Sequence, residues 1–209
     1  MIVLHHLNKS RSKRIIWLLE ALGVEYEVRA YQRDAKSSLA PPELRAVHAL
    51  GKAPVLEDNG KAIIESGAIC EYLIGKYAPE RLAPATDSDD YIDYLQWMHY
   101  AESSCILPLL MRMYIKMDGC ETNFLAGYVQ QEVEDVINYF NDALEGKTYL
   151  VGERLSGADI MMSFIVDILE RSGELTAYPN IERYGKTLAT HEAFQAAEQK
   201  EKALDESAS

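Results

Sequence analysis

The chain has 209 residues, enough for one large domain or two modest ones. Its 48% apolar content excludes a disordered chain. Its 33 acidic against 21 basic side chains, a formal charge of −12, exclude the basic footprint that duplex nucleic acid needs, while leaving room for a small anion held by one or two local cations.

The elements follow in chain order. Ile2 to His6 is a short apolar strand. Lys9 to Leu22 places Ile15, Leu18, Leu19 and Leu22 at i, i+3, i+4 and i+7, one face of a helix that Gly23 stops. Tyr26, Val28 and Ala30 alternate with other residues as a second strand. Pro41-Pro42 opens a short helical stretch to about Leu50. Pro54 to Glu57 and Ala62 to Ile64 form a hairpin through Asp58-Asn59-Gly60, because Asn-Gly accepts positive φ at both turn positions. Ser66 to Tyr77 is helical. The order is βαβαββα.

Residues 78 to 90, APERLAPATDSDD, read as a linker. The remainder carries only helical patterns. Tyr91 to Met117 reads as one long helix bent by Pro108. Leu125 to Leu144 puts Val129, Val133, Val136, Ile137, Phe140 and Leu144 on one stripe. Ser156 followed by Asp159 marks a capped helix start, and short helices cover Ile181 to Thr190 and Glu192 to Ala203. The expected division is therefore an α/β domain over 1–78, a linker over 79–90 and an all-helical domain over 91–209. Ligand sites favour the cleft between such domains.

Cysteines stand at 70, 105 and 120. The odd count and the lack of a CxxC pair point to a reducing compartment rather than a disulfide framework. MIVLHHLNKS is too short in its apolar run for a signal peptide, and no run approaches a membrane span. A soluble, cytoplasmic protein with neither nucleic acid nor membrane as partner is expected. His5 and His6 point to opposite faces of their strand, so they read as structural and no metal is expected.

The densest chemistry lies in GKAPVLEDNGKAIIESGAICEYL, residues 51–73. Proline is tolerated at a strand start in the trans form. In the cis form it would aim the Ala53 N–H and C=O outward to pair with an extended peptide. Glu65-Ser66 stands where a strand becomes a helix. Ser66 either caps its own helix or helps the free N–H groups hold a ligand carboxylate. Glu65 would accept from a ligand ammonium, and Lys52 would pair with a second carboxylate. These groups suit a small peptide with a carboxylate at each end and one amine.

This stretch resembles the second half of the glutathione-binding, thioredoxin-like domain of cytosolic glutathione transferases. The resemblance extends over nearly the whole chain, through the linker and the Ser156–Asp159 motif. WMHYAESSCILPLL is similar to a bacterial and fungal branch with a Glu-(Gly/Ser)-Ser run. The resemblance implies a thioredoxin-like domain followed by a helical bundle, with glutathione as co-substrate and a homodimer as the working form. It assigns Lys52, Ala53, Pro54, Glu65 and Ser66 to the tripeptide. It implies an electrophile pocket that Ser103, Leu107, Met111 and Tyr114 help to line.

The family's chemistry needs a thiolate. A thiol of pKa near 8.5 must be lowered by about two units, roughly 2.7 kcal/mol. One hydrogen bond to the charged sulfur contributes about 1.5–3 kcal/mol, and a helix N-terminus adds about 0.3–1. Serine-type members place a Ser four residues before an Arg at the helix start. Ser10 stands four before Arg14, with Ser12 as the alternative in the SRS repeat and Asn8 as a further donor. Ser10 also reads as a simple N-cap. The loop has neither Tyr nor Cys, which disfavours tyrosine-type and mixed-disulfide chemistry. Attack on a hydrophobic electrophile, reduction of an organic peroxide, and binding without turnover are the competing readings.

Overall fold

The computed structural model describes residues 1–119 and 121–207, so Cys120 lies outside the described residues. Contacts divide the chain into one unit of residues 1–83 with 188–209 and a second of residues 84–187.

The first unit is built on a four-stranded sheet, β1 (Ile2–Leu7), β2 (Tyr26–Tyr31), β3 (Val55–Asp58) and β4 (Lys61–Ile63), in the order β2-β1-β3-β4. β1 pairs parallel with β2 and antiparallel with β3, and β3 pairs antiparallel with β4. The parallel pair requires a crossover, which α1 (Ser12–Leu22) supplies. The β3–β4 pair closes through Asn59 and Gly60, with φ of 50° and 80°, the two positive values of a type I′ turn. α2 (Leu44–Val47) and α3 (Ser66–Tyr77) complete the predicted βαβαββα order. β1 is buried along its whole length, as a central strand covered on both faces must be. Leu4, Ile15, Leu18, Leu19, Leu56 and Ile69 form its core.

The last helix, α9 (Glu192–Ser207), groups with this unit, whereas sequence reasoning placed it in the helical one. Trp17 of α1 meets Phe194 edge-on at 5.1 Å, Lys13 pairs with Glu198 at 2.6 Å and Lys200 with Glu20 at 2.6 Å. These partners are nearly the full chain apart, so no local pattern announces them.

The second unit is helical: α4 (Asp90–Tyr100), α5 (Ile106–Asp118), α6 (Leu125–Ala143), α7 (Gly157–Ser172), a 3-10 turn at Leu175–Ala177, and most of α8 (Pro179–Ala189). The single bent helix expected over Tyr91–Met117 is two helices. Pro108 sits in the first turn of α5, where its missing N–H has no helical partner to lose, and its ring opposes a regular helix just upstream. The chain breaks at Ala101–Cys105 instead, where the Cys105 N–H reaches back to the Tyr100 carbonyl at 3.1 Å. On α6, Val129, Val133, Ile137 and Phe140 are buried together, as their spacing requires.

α7 opens on the predicted Ser156–Asp159 capping box. Asp159 is buried and accepts from the Ser156 N–H (2.8 Å), the Leu150 N–H (3.0 Å) and the Tyr184 hydroxyl (2.8 Å). Burial raises its pKa from the usual carboxylate range, against the lowering effect of these donors. Asp159→Ala leaves four buried donors without this acceptor, the Ser156 hydroxyl (2.9 Å) included, each costing about 1–3 kcal/mol. Urea unfolding of this variant should show a loss of at least about 2 kcal/mol. An unchanged midpoint would contradict the anchoring role.

Candidate active site

Two turns of the first unit carry the predicted chemistry. The first joins β1 to α1. α1 is entered through Arg11 with helical dihedrals and no side-chain cap, and its first turn holds no acidic residue to offset the positive end of the helix. Ser10 stands just outside. Its Oγ accepts from the Ser12 N–H (3.2 Å) and lies 2.7 Å from Ser12 Oγ, and its carbonyl accepts from the Lys13 N–H (3.2 Å). Ser10 therefore meets one backbone N–H at the helix entry, although the N-cap position itself belongs to Arg11.

Ser12 is enclosed. Its Oγ accepts from the Leu7 N–H (3.2 Å), lies 3.2 Å from the Leu7 carbonyl and 2.9 Å from His6 Nδ1. Asn8 faces a different partner. Its Oδ1 accepts from the Arg33 N–H (3.0 Å), and its carbonyl accepts from Arg33 Nε (3.1 Å). Arg33 also donates to the Ser38 carbonyl at 3.0 Å, so one guanidinium ties the first loop to the segment after β2. Sequence reasoning missed this clamp, because Arg33 is one cation among many until its donors are placed.

His6 was also missed as a site neighbour. It is 1% exposed, and its Nε2 is 4.0 Å from Glu201 Oε1 on α9. Burial lowers its pKa to about 4, outweighing the opposing pull of the Asp205 carboxylate. His5, on the opposite face of β1, has Nδ1 2.9 Å from the Tyr31 hydroxyl and Nε2 3.2 Å from Glu57. Its pKa is also lowered, by burial first, against Glu57.

The second turn joins β4 to α3. Glu65 holds φ +65°, a left-handed value that a non-glycine residue adopts only under constraint, costing about 1–3 kcal/mol. Ser66 begins α3, is 3% exposed, and its Oγ has no hydrogen-bond partner among the described residues. The helix has no side-chain cap, so Ser66 does not serve as one. A buried hydroxyl without a partner costs about 1–3 kcal/mol. At the mouth of β3 the Ala53–Pro54 peptide is cis, Pro54 is buried, and Lys52 is exposed.

In the second unit, Leu107 and Tyr114 are exposed and Met111 half-buried on α5, with Ser103 exposed in the break before it. Ser103 Oγ donates to the His99 carbonyl at 2.8 Å. Cys70 is buried in α3, as expected of a small apolar filler, and burial pushes the Cys105 thiol up to about 12. Among the described residues no cluster of three or more His, Cys, Asp or Glu forms a metal site, and no helix is long and apolar enough to cross a membrane.

Residues 1–75 match the glutathione S-transferase N-terminal domain, and residues 104–192 match the C-terminal domain. Glutathione S-transferase 1 of Saccharomyces cerevisiae is 35% identical over 98% of this chain and 97% of its own length. Glutathione S-transferase 3 of Schizosaccharomyces pombe is 32% identical over 96% and 88%. The crystal structure of a glutathione S-transferase from Actinobacillus pleuropneumoniae is similar at a TM-score of 0.89 and 39% identity, covering 97% of this chain and 93% of that one. The chain belongs to the glutathione S-transferase family.

His6 generates a prediction about acid stability. Its folded pKa of about 4 lies below the unfolded value near 6.5, so between these pH values the unfolded chain binds a proton that the folded chain refuses. Stability is then fully present above about pH 6.5 and falls as pH drops toward 4. Urea midpoints measured across that window should slope less in His6→Asn than in the parent, with the residual slope from His5. Parallel profiles would show that His6 is not kept neutral.

Proposed function

We propose that the chain binds glutathione in its first unit and activates the thiol as a thiolate for attack on hydrophobic electrophiles. The observation that carries this reading is the second turn. The strained Glu65 and the buried Ser66 hydroxyl, without a partner among the described residues, stand together at the N-terminus of α3, and the antiparallel register of Leu56 with Ile63 brings the cis Ala53–Pro54 peptide to the same end of the β3–β4 pair. A ligand carboxylate would satisfy the Ser66 hydroxyl and the free N–H groups of the first helical turn. Glu65 would accept from the ligand ammonium, the Ala53 backbone would pair with the peptide, and Lys52 would meet the other carboxylate.

Ser10 is the activating hydroxyl in this reading. Two things support it over Ser12. Ser10 is 7% exposed whereas Ser12 is fully enclosed, and it uses fewer of its hydrogen-bonding positions inside the protein. Asn8 has its carbonyl oxygens committed to Arg33, which leaves its amide N–H pair as a second donor. Ser103, Leu107, Met111 and Tyr114 are proposed to meet the electrophile, with a homodimer as the working form. Peroxide reduction would use the same thiolate on an oxygen. Binding without turnover predicts damage to the tripeptide contacts, and the presence of Lys52, Pro54, Glu65, Ser66 and a first-loop hydroxyl supports the enzymatic readings over it.

Titration of thiolate absorbance in the glutathione complex tests the reading. Ser10→Ala should raise the bound thiol pKa by roughly one to two units, the worth of one charged hydrogen bond. Ser66→Ala should instead weaken glutathione binding by roughly tenfold while leaving the thiol pKa in place. A normal thiol pKa in the parent complex would leave binding without turnover as the surviving reading. Conjugation and peroxide assays then separate the two enzymatic ones.

A further inference from the structure

Ser12 Oγ has one proton and two acceptor positions, yet four groups surround it. The Leu7 N–H occupies one acceptor position. What fills the second decides where the Ser10 proton points. If His6 Nδ1 carries a proton, it donates to Ser12 at 2.9 Å, and the Ser12 proton goes to Ser10 at 2.7 Å rather than to the Leu7 carbonyl, the more distant acceptor at 3.2 Å. Ser10 then accepts from both the Ser12 hydroxyl and the Ser12 N–H, its acceptor positions are full, and its own proton turns outward. If the His6 proton is on Nε2, Nδ1 becomes an acceptor and draws the Ser12 proton inward. Ser10 then fills the vacant position on Ser12 with the proton a thiolate would need.

We propose that His6, held as its Nδ1–H tautomer in the glutathione complex, acts through Ser12 to aim the Ser10 hydroxyl at the sulfur, making His6 and Ser12 positioning residues. The inference rests on Ser10 being the activating hydroxyl. A thiolate at Ser10 favours the outward chain, because each donor then points toward the negative charge and each bond strengthens the next. The groups facing His6 oppose it in part. Glu201 of α9 lies 4.0 Å from Nε2 and is itself 3.5 Å from Lys13 Nζ, and Asp205 of α9 accepts from Gln32 at 3.3 Å. Glu201 alone would favour a proton on Nε2. At 4.0 Å it makes no hydrogen bond there, whereas Nδ1 is at bonding distance from Ser12. Because burial keeps the ring neutral, the choice is between two tautomers, with no imidazolium involved at neutral pH.

Nitrogen-15 NMR of the protein labelled at histidine, in complex with glutathione, reads the tautomer directly, with His6→Asn identifying the resonances. A protonated Nδ1 and a bare Nε2 are expected, and the reverse pattern overturns the inference. Thiolate titration supplies the functional arm. His6→Leu removes the donor and should raise the bound thiol pKa by roughly one unit, about tenfold less thiolate at a pH below it. His6→Asn returns an N–H at the same branch of the side chain and should restore the parent value. A purely structural His6 would lower stability without moving the thiol pKa, and equal pKa values in all three proteins overturn the inference. If His6→Leu does not fold, the nitrogen spectrum of the parent protein decides. An unshifted thiol in Ser10→Ala removes the Ser10 reading and this inference together. A shift in Ser10→Ala with none in His6→Leu removes this inference alone.

Discussion

The Ser12 hydroxyl closes the turn between the end of β1 and the start of α1. It accepts from the N–H of Leu7, the last residue of the strand, and lies 3.2 Å from the carbonyl of the same residue, while belonging to the first residue of the helix. Strand ends and helix starts both leave backbone groups without partners, and a buried turn cannot leave them to water. The Ser12 hydroxyl meets the first need at the Leu7 N–H, and the Ser10 hydroxyl meets the second at the Ser12 N–H. The position of everything that follows, including the direction of α1 and the placement of Ser10 outside its N-terminus, is set from that point. The same saturation argues against Ser12 as the group that meets a substrate. A hydroxyl that accepts from the Leu7 N–H and the imidazole and donates to Ser10 has nothing left to offer a sulfur without undoing the turn.

The second turn is organised in the opposite way. There the chain is left incomplete: Glu65 sits at positive φ and the Ser66 hydroxyl has no partner among the described residues. Each term is about 1–3 kcal/mol, and together they are a sizeable fraction of the 5–15 kcal/mol by which a domain is stable. The rest of the unit offsets them through the pairing of β3 with both neighbours and the burial of Ile69 and Leu73 one turn further along α3. Strain and an unmet polar group thus coincide at one place, and this coincidence is what supports the proposed carboxylate site there.

The sequence was readable wherever one short pattern decided the outcome. Asn59-Gly60 specified its turn, Ser156 and Asp159 specified a helix start, and the apolar stripe of α6 specified its buried face. It misled where a local signal had two meanings. Pro108 marks a bend in a long helix or the first turn of a new one, and only the packing of Cys105, Ile106 and Leu109 into the core selects the second. The SRS repeat offered two hydroxyls four and two residues before Arg14, and the difference between them lies in burial and in His6, six residues from Ser12, which no helical or strand period links. The Arg33 clamp and the place of α9 were invisible for the same reason. Their partners are distant in sequence, and their residue types are ordinary.

The place of α9 also explains why a histidine in β1 stays neutral. Two carboxylates of that helix, Glu201 and Asp205, lie on the His6 side, and at the surface such neighbours would draw a proton onto the ring. Here the pKa moves the other way, so the loss of hydration outweighs the attraction. That loss is a consequence of packing α9 onto α1, with Trp17 against Phe194 and Lys13 drawn into pairs with Glu198 and Glu201. Lys13 neutralises part of the field that would otherwise reach the ring. The final helix thus fixes the protonation of a residue in the first strand, and through Ser12 that protonation bears on the loop where the proposed chemistry begins.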